Sequence, residues 1–434
     1  MSVTTANGVI TDSGARAQSE VATRIPYSVF LDNGVYALEQ DRLFRGPVWN
    51  FLALEAEVAN PGDYRANFIG ETPVFVSRDR DGALHTLINR CAHRGSMVCR
   101  ETRGNAKTHV CPYHQWSYDL AGKLLGVPFK RGIDGKGGYS GDFDLAAHSM
   151  REIRTAVYRG LVFASFSDGA EPIEDYLGQT MRAEIDRVFN RPVRVLGFSR
   201  QFINGNWKVY VENVKDPYHG SLLHLFHATF GSYRSSQSGG MHADRFGRHS
   251  HIAAFRTDDA NREVSAFTAE TVGSYAQGYK LADPSLLKAR PEFGNLSTSI
   301  QFIFPNLVIQ QISNTLAARQ IIPRGVDKFE LLVTYFGYQD DDEEMATMRL
   351  KQSNLIGPAG YIALEDGYAV ELVQQAIQFD GKERSFIELG GRGAEDQDNL
   401  VTETAIRAFW NYYAGLMGFR WDESSNGRTH TNGN

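Results

Sequence analysis

The chain has 434 residues, which predicts two or three domains, and its 42% hydrophobic content is ordinary for a globular protein. Its net charge of −6 gives no electrostatic support for binding nucleic acid or an anionic membrane surface. No apolar run is long enough to cross a bilayer, and the first residues lack the basic-then-apolar order of a signal peptide. We therefore expect a cytoplasmic protein with no nucleic-acid or membrane partner.

The first part of the chain predicts mainly β structure. Residues 1–25 are polar and predict a mobile arm, and Leu38 to Phe44 predicts a short helix. A β pattern then extends from Trp49 to Phe166. Within it, residues 72–78 alternate between apolar and polar, and Asp81-Gly82 predicts a hairpin turn before the next strand, Ala83 to Ile88.

The second part predicts a mixture of helices and strands. Apolar residues recur at helical spacing from Glu171 to Phe189. The later elements are predicted strands at 299–312 and 328–338, predicted helices at 341–354, 366–378 and 403–416, and a frayed tail at 422–434.

The most informative motif pairs Cys91-Ala-His93 with Cys111-Pro-Tyr-His114. Two thiolates on one iron and two imidazoles on the other are the ligands of a Rieske-type [2Fe–2S] cluster. The alternative is a structural zinc site, but such sites usually group their ligands as C-x2-4-C and H-x3-5-H. Mixed pairs therefore favour the cluster. Cys99, the remaining cysteine, is expected to be a small buried apolar residue, so the chain has no disulfide framework.

A second polar motif, Asp216-Pro-Tyr-His219-x4-His224, predicts another metal site. Two histidines and a distant carboxylate form the facial triad that leaves positions open on Fe(II) for O2 and substrate. Residues five apart do not share a face of a regular helix, so the segment must bend, in agreement with Pro217. The alternative is a set of hydrogen-bonded histidines, and His227 is a competing ligand.

Together the two motifs resemble the catalytic α subunit of Rieske non-haem iron aromatic-ring-hydroxylating oxygenases, over about residues 25 to 420. The resemblance implies an α+β protein with an all-β Rieske domain at 45–166. This domain is inserted before a larger catalytic domain, formed by 1–44 and 167–434, with an antiparallel sheet surrounded by helices.

The same resemblance implies a mononuclear iron held by His219, His224 and Asp366. In that family the carboxylate ligand follows a Gly-Pro-Ala-Gly segment, which is Gly357 to Gly360 in this chain. Glu365, next to Asp366, is the rival carboxylate. The implied cofactors are a Rieske [2Fe–2S] cluster and Fe(II), with O2 as cosubstrate.

The resemblance also implies partners. Asp216 is expected to bridge His219 and the residue matching His114 in a neighbouring subunit, which requires a head-to-tail trimer. Electrons would come from a ferredoxin and/or a reductase, because the chain has no evident FAD or NAD(P)H fingerprint. A small β subunit is also expected. The assembly is α3β3 with that subunit and α3 without it.

Within the family, the chain looks similar to the salicylate, anthranilate and terephthalate oxygenases. Arg319 is the candidate for binding a substrate carboxylate, and a structural ion pair is its alternative role. Leu400 stands where terephthalate-type members carry a basic residue, with Arg392 nearby. We therefore expect a monocarboxylate such as an ortho-substituted benzoate, with a terephthalate-type substrate as the alternative. Apolar pocket walls are expected at Ile362, Leu364 and Phe226.

Two further alternatives remain at the level of sequence. The reaction is either a cis-dihydroxylation or a single hydroxylation of the ring. A Rieske electron-transfer protein without oxygenase activity is a different class, but it would need only about 170 residues, a single domain.

Overall fold

Two seven-stranded antiparallel sheets organise this computed structural model, which describes residues 21–256, 272–358 and 360–421. The first sheet has the strand order β1-β10-β9-β4-β3-β2-β5, and a small sheet of β6, β7 and β8 lies apart from it. The ten strands are β1 Asn50–Leu54, β2 Asp63–Ile69, β3 Thr72–Arg78, β4 Leu84–Ile88, β5 Arg103–Asn105, β6 His109–Val110, β7 Ser117–Tyr118, β8 Leu124–Gly126, β9 Glu152–Tyr158 and β10 Leu161–Ser165.

The hairpin between β3 and β4 shows how the sequence sets this sheet. β3 covers the alternating segment, and the side chains of Val74 and Val76 are fully buried on one face. Gly82 in the turn has a φ of +90°, a conformation that favours glycine. The predicted strands and turn are confirmed here.

The second sheet has the order β11-β17-β16-β15-β14-β13-β12. Its strands are β11 Val193–Ile203, β12 Gly239–Ala243, β13 Ser250–Phe255, β14 Leu296–Ile303, β15 Leu307–Ile312, β16 Thr315–Gly325 and β17 Lys328–Tyr338. The prediction of one strand at 299–312 was wrong, because the chain reverses at Phe304-Pro305-Asn306 and the two halves pair antiparallel. Pro305 has no N–H to donate to a sheet, so it belongs in the turn.

Helices pack around this second sheet. They are α1 Ser28–Leu31, α2 Asn33–Leu38, α3 Ile173–Val188, α4 Trp207–Val214, α5 Leu225–Phe230, α6 Glu343–Ile356, α7 Ala363–Ile377 and α8 Thr404–Met417, with a π-helical turn at Glu39–Phe44 after α2. The long predicted helices are confirmed with ends displaced by a few residues. In the part of the chain that the structure describes, no helix is long and apolar enough to cross a membrane.

Residues 21–25 do not form a mobile arm. Ile25 is fully buried, and the backbone N–H of Ser385 donates to its carbonyl oxygen at 2.9 Å. The rest of the predicted arm, residues 1–20, and the predicted tail from residue 422 lie outside the described residues.

A buried ion pair fixes α4, the helix that leads into the second motif. Lys208 Nζ donates to Glu39 Oε1 at 2.6 Å, and both side chains are fully buried. Trp207 Nε1 donates to the other oxygen of Glu39 at 2.8 Å, and Tyr413 of α8 donates to the first at 2.5 Å. A buried charged pair needs such additional hydrogen bonds, and these ones join three separate segments around α4. The α+β fold class is confirmed, and the domain boundaries at 45–166 stay a prediction.

Candidate metal centres and substrate cavity

Two loops of similar shape carry the first Cys/His motif. The backbone N–H of Gly95 donates to the Cys91 carbonyl at 3.0 Å, and that of Gln115 donates to the Cys111 carbonyl at 3.0 Å. Gly95 and Gln115 also both have a positive φ, +76° and +57°. Each loop therefore folds back on its cysteine over the same number of residues, and each carries its histidine within that turn.

The donor set in these loops fits an iron–sulfur cluster. Both cysteines are buried, and the rings of His93 and His114 lie 4.6 Å apart. The Nδ1 atom of His93 is buried without a hydrogen-bond partner among the described residues, as expected of a nitrogen that binds a metal. Burial opposes ionisation of Cys111, yet backbone N–H groups of its loop lower the pKa of this thiol.

Aromatic and basic side chains surround the loops. The indole of Trp116 stacks on the His93 ring at 4.8 Å and nearly parallel to it. The hydroxyl of Tyr118 lies 3.2 Å from Cys91 Sγ. Arg94 donates to His114 Nε2 at 2.5 Å, which leaves Nδ1 of that ring for a metal.

The second motif bends as Pro217 led us to expect. Helix α4 ends at Val214, a single 3₁₀ turn covers His219–Ser221, and His224 is the N-cap residue of α5. Helix α7 supplies Asp366 from a segment 142 residues beyond His224 in the chain.

This bend brings three predicted metal ligands together. His219, His224 and Asp366 each offer a donor atom, and the three atoms lie within 4.8 Å of one another. Asp366 Oδ1 is 3.3 Å from the Nε2 atoms of both histidines, and the amide of Asn213 donates to the same oxygen at 3.2 Å. Two imidazoles and a carboxylate converging on one point fit a facial triad for Fe(II).

A further carboxylate lies behind each histidine. Glu365 Oε2 is 2.9 Å from His224 Nδ1, and Asp216 Oδ1 is 3.6 Å from His219 Nδ1. Burial disfavours a charged His219, but Asp216 and Asp366 outweigh it and raise the pKa of His219 to about 10. Glu365 orients the His224 ring by a hydrogen bond, whereas Asp216 lies beyond hydrogen-bond distance of His219 Nδ1 and acts on that ring through its charge.

Glu365 and His227, the two rival ligands that the sequence offered, have other partners. Glu365 accepts hydrogen bonds from the His224 ring and from the Leu225 backbone N–H at 3.2 Å, so both of its carboxylate oxygens already have partners. His227 Nδ1 lies 2.7 Å from Ser232 Oγ, and burial holds the pKa of His227 well below its usual value. Neither residue belongs to the group of three converging donors.

Glu365→Ala is expected to weaken binding of Fe(II) by about 10- to 100-fold, because the His224 ring loses the acceptor that fixes its orientation. Competition against a chelator of known affinity measures this change. Glu365→Gln retains an acceptor oxygen and is expected to restore most of the affinity. Equal affinities of Glu365→Ala and the native protein would contradict the assigned role.

A cavity opens beside the three converging donors. It encloses about 560 Å³, part of it open to solvent. Apolar side chains from the end of α4, from several strands and from the start of α7 make up much of its wall: Val214, Ile252, Ile300, Val308, Ile312 and Ile362. A concave site that combines apolar walls with convergent polar groups is typical of sites for small organic molecules.

Arg319 of β16 lies in this wall with only 4% of the residue exposed. Its Nη1 donates to the Tyr210 hydroxyl at 2.9 Å. Its Nε and Nη2 atoms are buried with no hydrogen-bond partner among the described residues. Nε and Nη2 form the edge of the guanidinium that donates two parallel hydrogen bonds to a carboxylate. The alternative role for Arg319, a structural ion pair, finds no partner in the described part of the chain.

Three of the predicted substrate-pocket residues take different positions. Ile362 lines the cavity, whereas Leu364 is 53% exposed and Phe226 is buried behind the wall, stacked on Tyr361 at 5.6 Å. Arg392 pairs with Glu388 at the surface and does not line the cavity. Leu364 and Phe226, which were predicted as pocket walls, are not among the residues that line this cavity, and neither is Arg392, so we do not assign these residues to substrate binding.

Sequence reasoning missed four polar residues at the site. Asn213 and Tyr210 lie on α4 and hydrogen-bond Asp366 and Arg319. Thr298 and Gln310 line the cavity from β14 and β15. The signal that could have pointed to this strand is its pair of glutamines, Gln310 and Gln311, beside the buried apolar residues Val308, Ile309 and Ile312.

The fold and the two donor sets define an iron–sulfur protein with a second, mononuclear metal centre. Family models agree: residues 48–136 match the Rieske [2Fe-2S] domain, and residues 175–418 match the ring hydroxylating alpha subunit catalytic domain. The chain belongs to this family, the α subunits of Rieske non-haem iron ring-hydroxylating oxygenases, which use a [2Fe–2S] cluster, Fe(II) and O2.

Named relatives cover most of the chain. The anthranilate 1,2-dioxygenase large subunit of Burkholderia cepacia is 51% identical over 92% of this chain and 94% of its own. A terephthalate 1,2-dioxygenase α subunit of Comamonas sp is 43% identical over 91% of this chain and 96% of its own. The naphthalene 1,2-dioxygenase structure from Rhodococcus sp. superposes with a TM-score of 0.74 over 91% of this chain and 94% of that one. At 24% identity, this likeness shows the fold alone.

Proposed function

We propose that this oxygenase hydroxylates an aromatic monocarboxylic acid. The observation that carries the proposal is the buried Arg319, which lines the same cavity as His219, His224 and Asp366 and has two nitrogens without a hydrogen-bond partner among the described residues. An unpaired buried cation is costly, and a substrate carboxylate would supply the missing charge and both hydrogen-bond acceptors.

The proposed metal ligands follow from the two donor sets. Cys91, His93, Cys111 and His114 would hold the cluster, and His219, His224 and Asp366 would hold Fe(II). The cluster supplies electrons, and the Fe(II) supplies open coordination positions for O2. Asn213 holds one carboxylate oxygen of Asp366, which fixes the ligand before substrate enters.

The cavity walls would position the ring. Ile252, Ile300, Ile312 and Ile362 contact an aromatic face without offering hydrogen bonds, and they keep water away from the metal. Arg319 anchors the carboxylate at the β16 side, so one edge of the ring faces the three converging donors. Anchoring at one end and apolar contact along the ring restrict the position that is oxygenated.

A single basic anchor favours a monocarboxylate. Among the described residues that line the cavity, Arg319 is the only arginine or lysine. A para-dicarboxylate would place a second charge against apolar walls, which is unfavourable. Two of the relatives carry the names of ortho-substituted benzoate enzymes, an anthranilate 1,2-dioxygenase and a salicylate 5-hydroxylase, the latter 41% identical. We favour an acid of that type, by dihydroxylation or by single hydroxylation.

The proposal includes partner proteins. The names of the relatives describe large subunits or oxygenase components, so the family works in multicomponent systems. We propose a ferredoxin and/or reductase as electron donor, a small β subunit, and an α3 or α3β3 assembly. Asp216 would link His219 to the cluster histidine of a neighbouring subunit, which its position at the outer side of His219 allows.

A single-turnover assay tests the proposed substrate class. The iron-loaded protein is reduced chemically and mixed with O2 and with anthranilate, salicylate, benzoate, terephthalate or naphthalene, and products are identified by mass spectrometry. Oxygenated product is expected from at least one monocarboxylate. Product from naphthalene alone or terephthalate alone would contradict the monocarboxylate proposal. A fully reducible cluster with no product from any acid would instead favour an electron carrier.

A further inference from the structure

Five buried side-chain atoms without hydrogen-bond partners belong to residues that line the cavity. They are His219 Nδ1, Thr298 Oγ1, Gln310 Oε1, and Nε and Nη2 of Arg319. Thirteen such atoms occur in the described part of the chain, so they concentrate at this one site. The Arg319 nitrogens are donors for a carboxylate, and His219 Nδ1 lies beside Asp216, which leaves Thr298 and Gln310 unexplained.

Strand register places Thr298, Gln310 and Arg319 on one diagonal of the sheet. Arg319 is opposite Val308, two residues before Gln310 on β15. Thr298 is opposite Ile312, two residues after Gln310. Residues two apart on a strand share a face, and diagonal neighbours on adjacent strands are about 7–8 Å apart at their Cα atoms, within reach of long side chains. The guanidinium and the Gln310 amide can thus contact neighbouring positions of one ring.

The chemistry of the two orphaned oxygens is specific. An amide oxygen accepts hydrogen bonds, and a threonine hydroxyl accepts or donates. Leaving both unpaired in a buried wall is unfavourable unless a ligand supplies a donor. A carboxylate has no proton to offer, whereas an amino or hydroxyl substituent does.

We infer that Gln310 and Thr298 form a second polar subsite, which accepts hydrogen bonds from a donor group ortho to the carboxylate that Arg319 binds. This inference rests on the proposed function and narrows its substrate class to acids such as 2-aminobenzoate. An amino group at that position donates two hydrogen bonds, one for each oxygen. Unsubstituted benzoate leaves both oxygens unpaired and binds more weakly.

Binding measurements on the iron-loaded protein test the subsite. Dissociation constants for 2-aminobenzoate and benzoate are compared by isothermal titration calorimetry in the native protein, Gln310→Leu and Thr298→Val. In each variant the constant for 2-aminobenzoate is expected to rise about five- to tenfold, since one hydrogen bond is lost, and that for benzoate to change less than twofold. Thr298→Val is nearly isosteric, so the test does not depend on Gln310→Leu folding.

Ile300→Val is the matched control. Ile300 is directly opposite Gln310 and lines the same cavity, but it offers no hydrogen bond. This variant is expected to change both dissociation constants by the same factor. Parallel weakening of both ligands in Gln310→Leu and Thr298→Val would overturn the subsite and leave these residues as cavity walls.

Three further outcomes separate the subsite from the proposed function. Weaker binding of terephthalate, with 2-aminobenzoate unchanged, in Gln310→Leu would overturn the inference, because the amide then donates to a second carboxylate. Failure of the native protein to bind any benzoate would overturn the proposed function itself and the subsite with it. Native binding that the variants do not alter would remove the subsite alone.

Discussion

Asp366→Ala is expected to bind about two irons per chain where the native protein binds about three, and to form no oxygenated product. The two remaining ligands of the mononuclear site are neutral imidazoles, which hold Fe(II) weakly without the carboxylate. The two cluster loops follow β4 and β6 in the chain, and they contribute none of the three converging donors. Iron analysis and the visible spectrum of the cluster measure the two centres separately, and product yield is expected to fall at least about 1,000-fold.

Glu371→Ala is the control for this variant. Glu371 lies on the same helix, α7, but its carboxylate accepts hydrogen bonds from Asn204 near the protein surface. It is expected to retain iron, spectrum and product yield. Full iron content and normal product in Asp366→Ala would assign the third ligand to Glu365 instead. Loss of the cluster spectrum along with the mononuclear iron would mean that the substitution disturbs the fold.

The cluster loops were predictable because each metal-binding pair is local in sequence. Cys91 and His93 are two residues apart, and Cys111 and His114 are three apart, so chemistry and spacing identify them together. Asp366 was not predictable from spacing, because only the tertiary fold brings α7 to the bend at His219. The resemblance to a family supplied that residue, and the geometry agrees with it.

Pocket residues were less predictable because they depend on the phase of a helix. Successive helical residues advance about 100°, so Leu364 points roughly opposite to Ile362, while Asp366 returns to the side of Ile362. The structure accordingly has Ile362 and Asp366 in the cavity and Leu364 at the surface. Sequence reasoning placed the segment correctly but assigned both flanking residues to one wall.

The sheet presents a similar difficulty. Arg319 was predicted as a carboxylate anchor by position, but only the fold shows that, among the described residues, its Nε and Nη2 have no hydrogen-bond partner while its Nη1 contacts Tyr210. Because the reversal at Pro305 was not predicted, the pairing of β15 with β16 was not predicted either. That pairing sets Arg319 opposite Val308 and diagonal to Gln310. The polar wall of the cavity is therefore a property of strand pairing, which a single sequence does not specify.

Arg319→Met is expected to lower kcat/KM for the acid substrate by about 100-fold or more while leaving the protein at least as stable. Removing one partner of a buried hydrogen-bonded charge pair costs about 2–5 kcal/mol of binding free energy. Without bound substrate, the same substitution is expected not to destabilise the protein. The guanidinium is buried, and no carboxylate lies within ion-pair distance of it in the described residues, so its desolvation is poorly compensated. A methionine keeps an unbranched apolar stem without the charge and removes that penalty.

The two effects have opposite signs, and this distinguishes a substrate anchor from a structural arginine. Arg392→Met is the matched control, because Arg392 is exposed and pairs only with Glu388 among the contacts described. It is expected to change neither kcat/KM nor the melting temperature. A drop of several degrees in the melting temperature of Arg319→Met, with kcat/KM reduced only in proportion to unfolded protein, would make Arg319 a structural residue. A stable Arg319→Met variant that no longer turns over the acid would identify a substrate anchor. Binding sites often retain a residue that lowers the stability of the ligand-free protein because the ligand needs it.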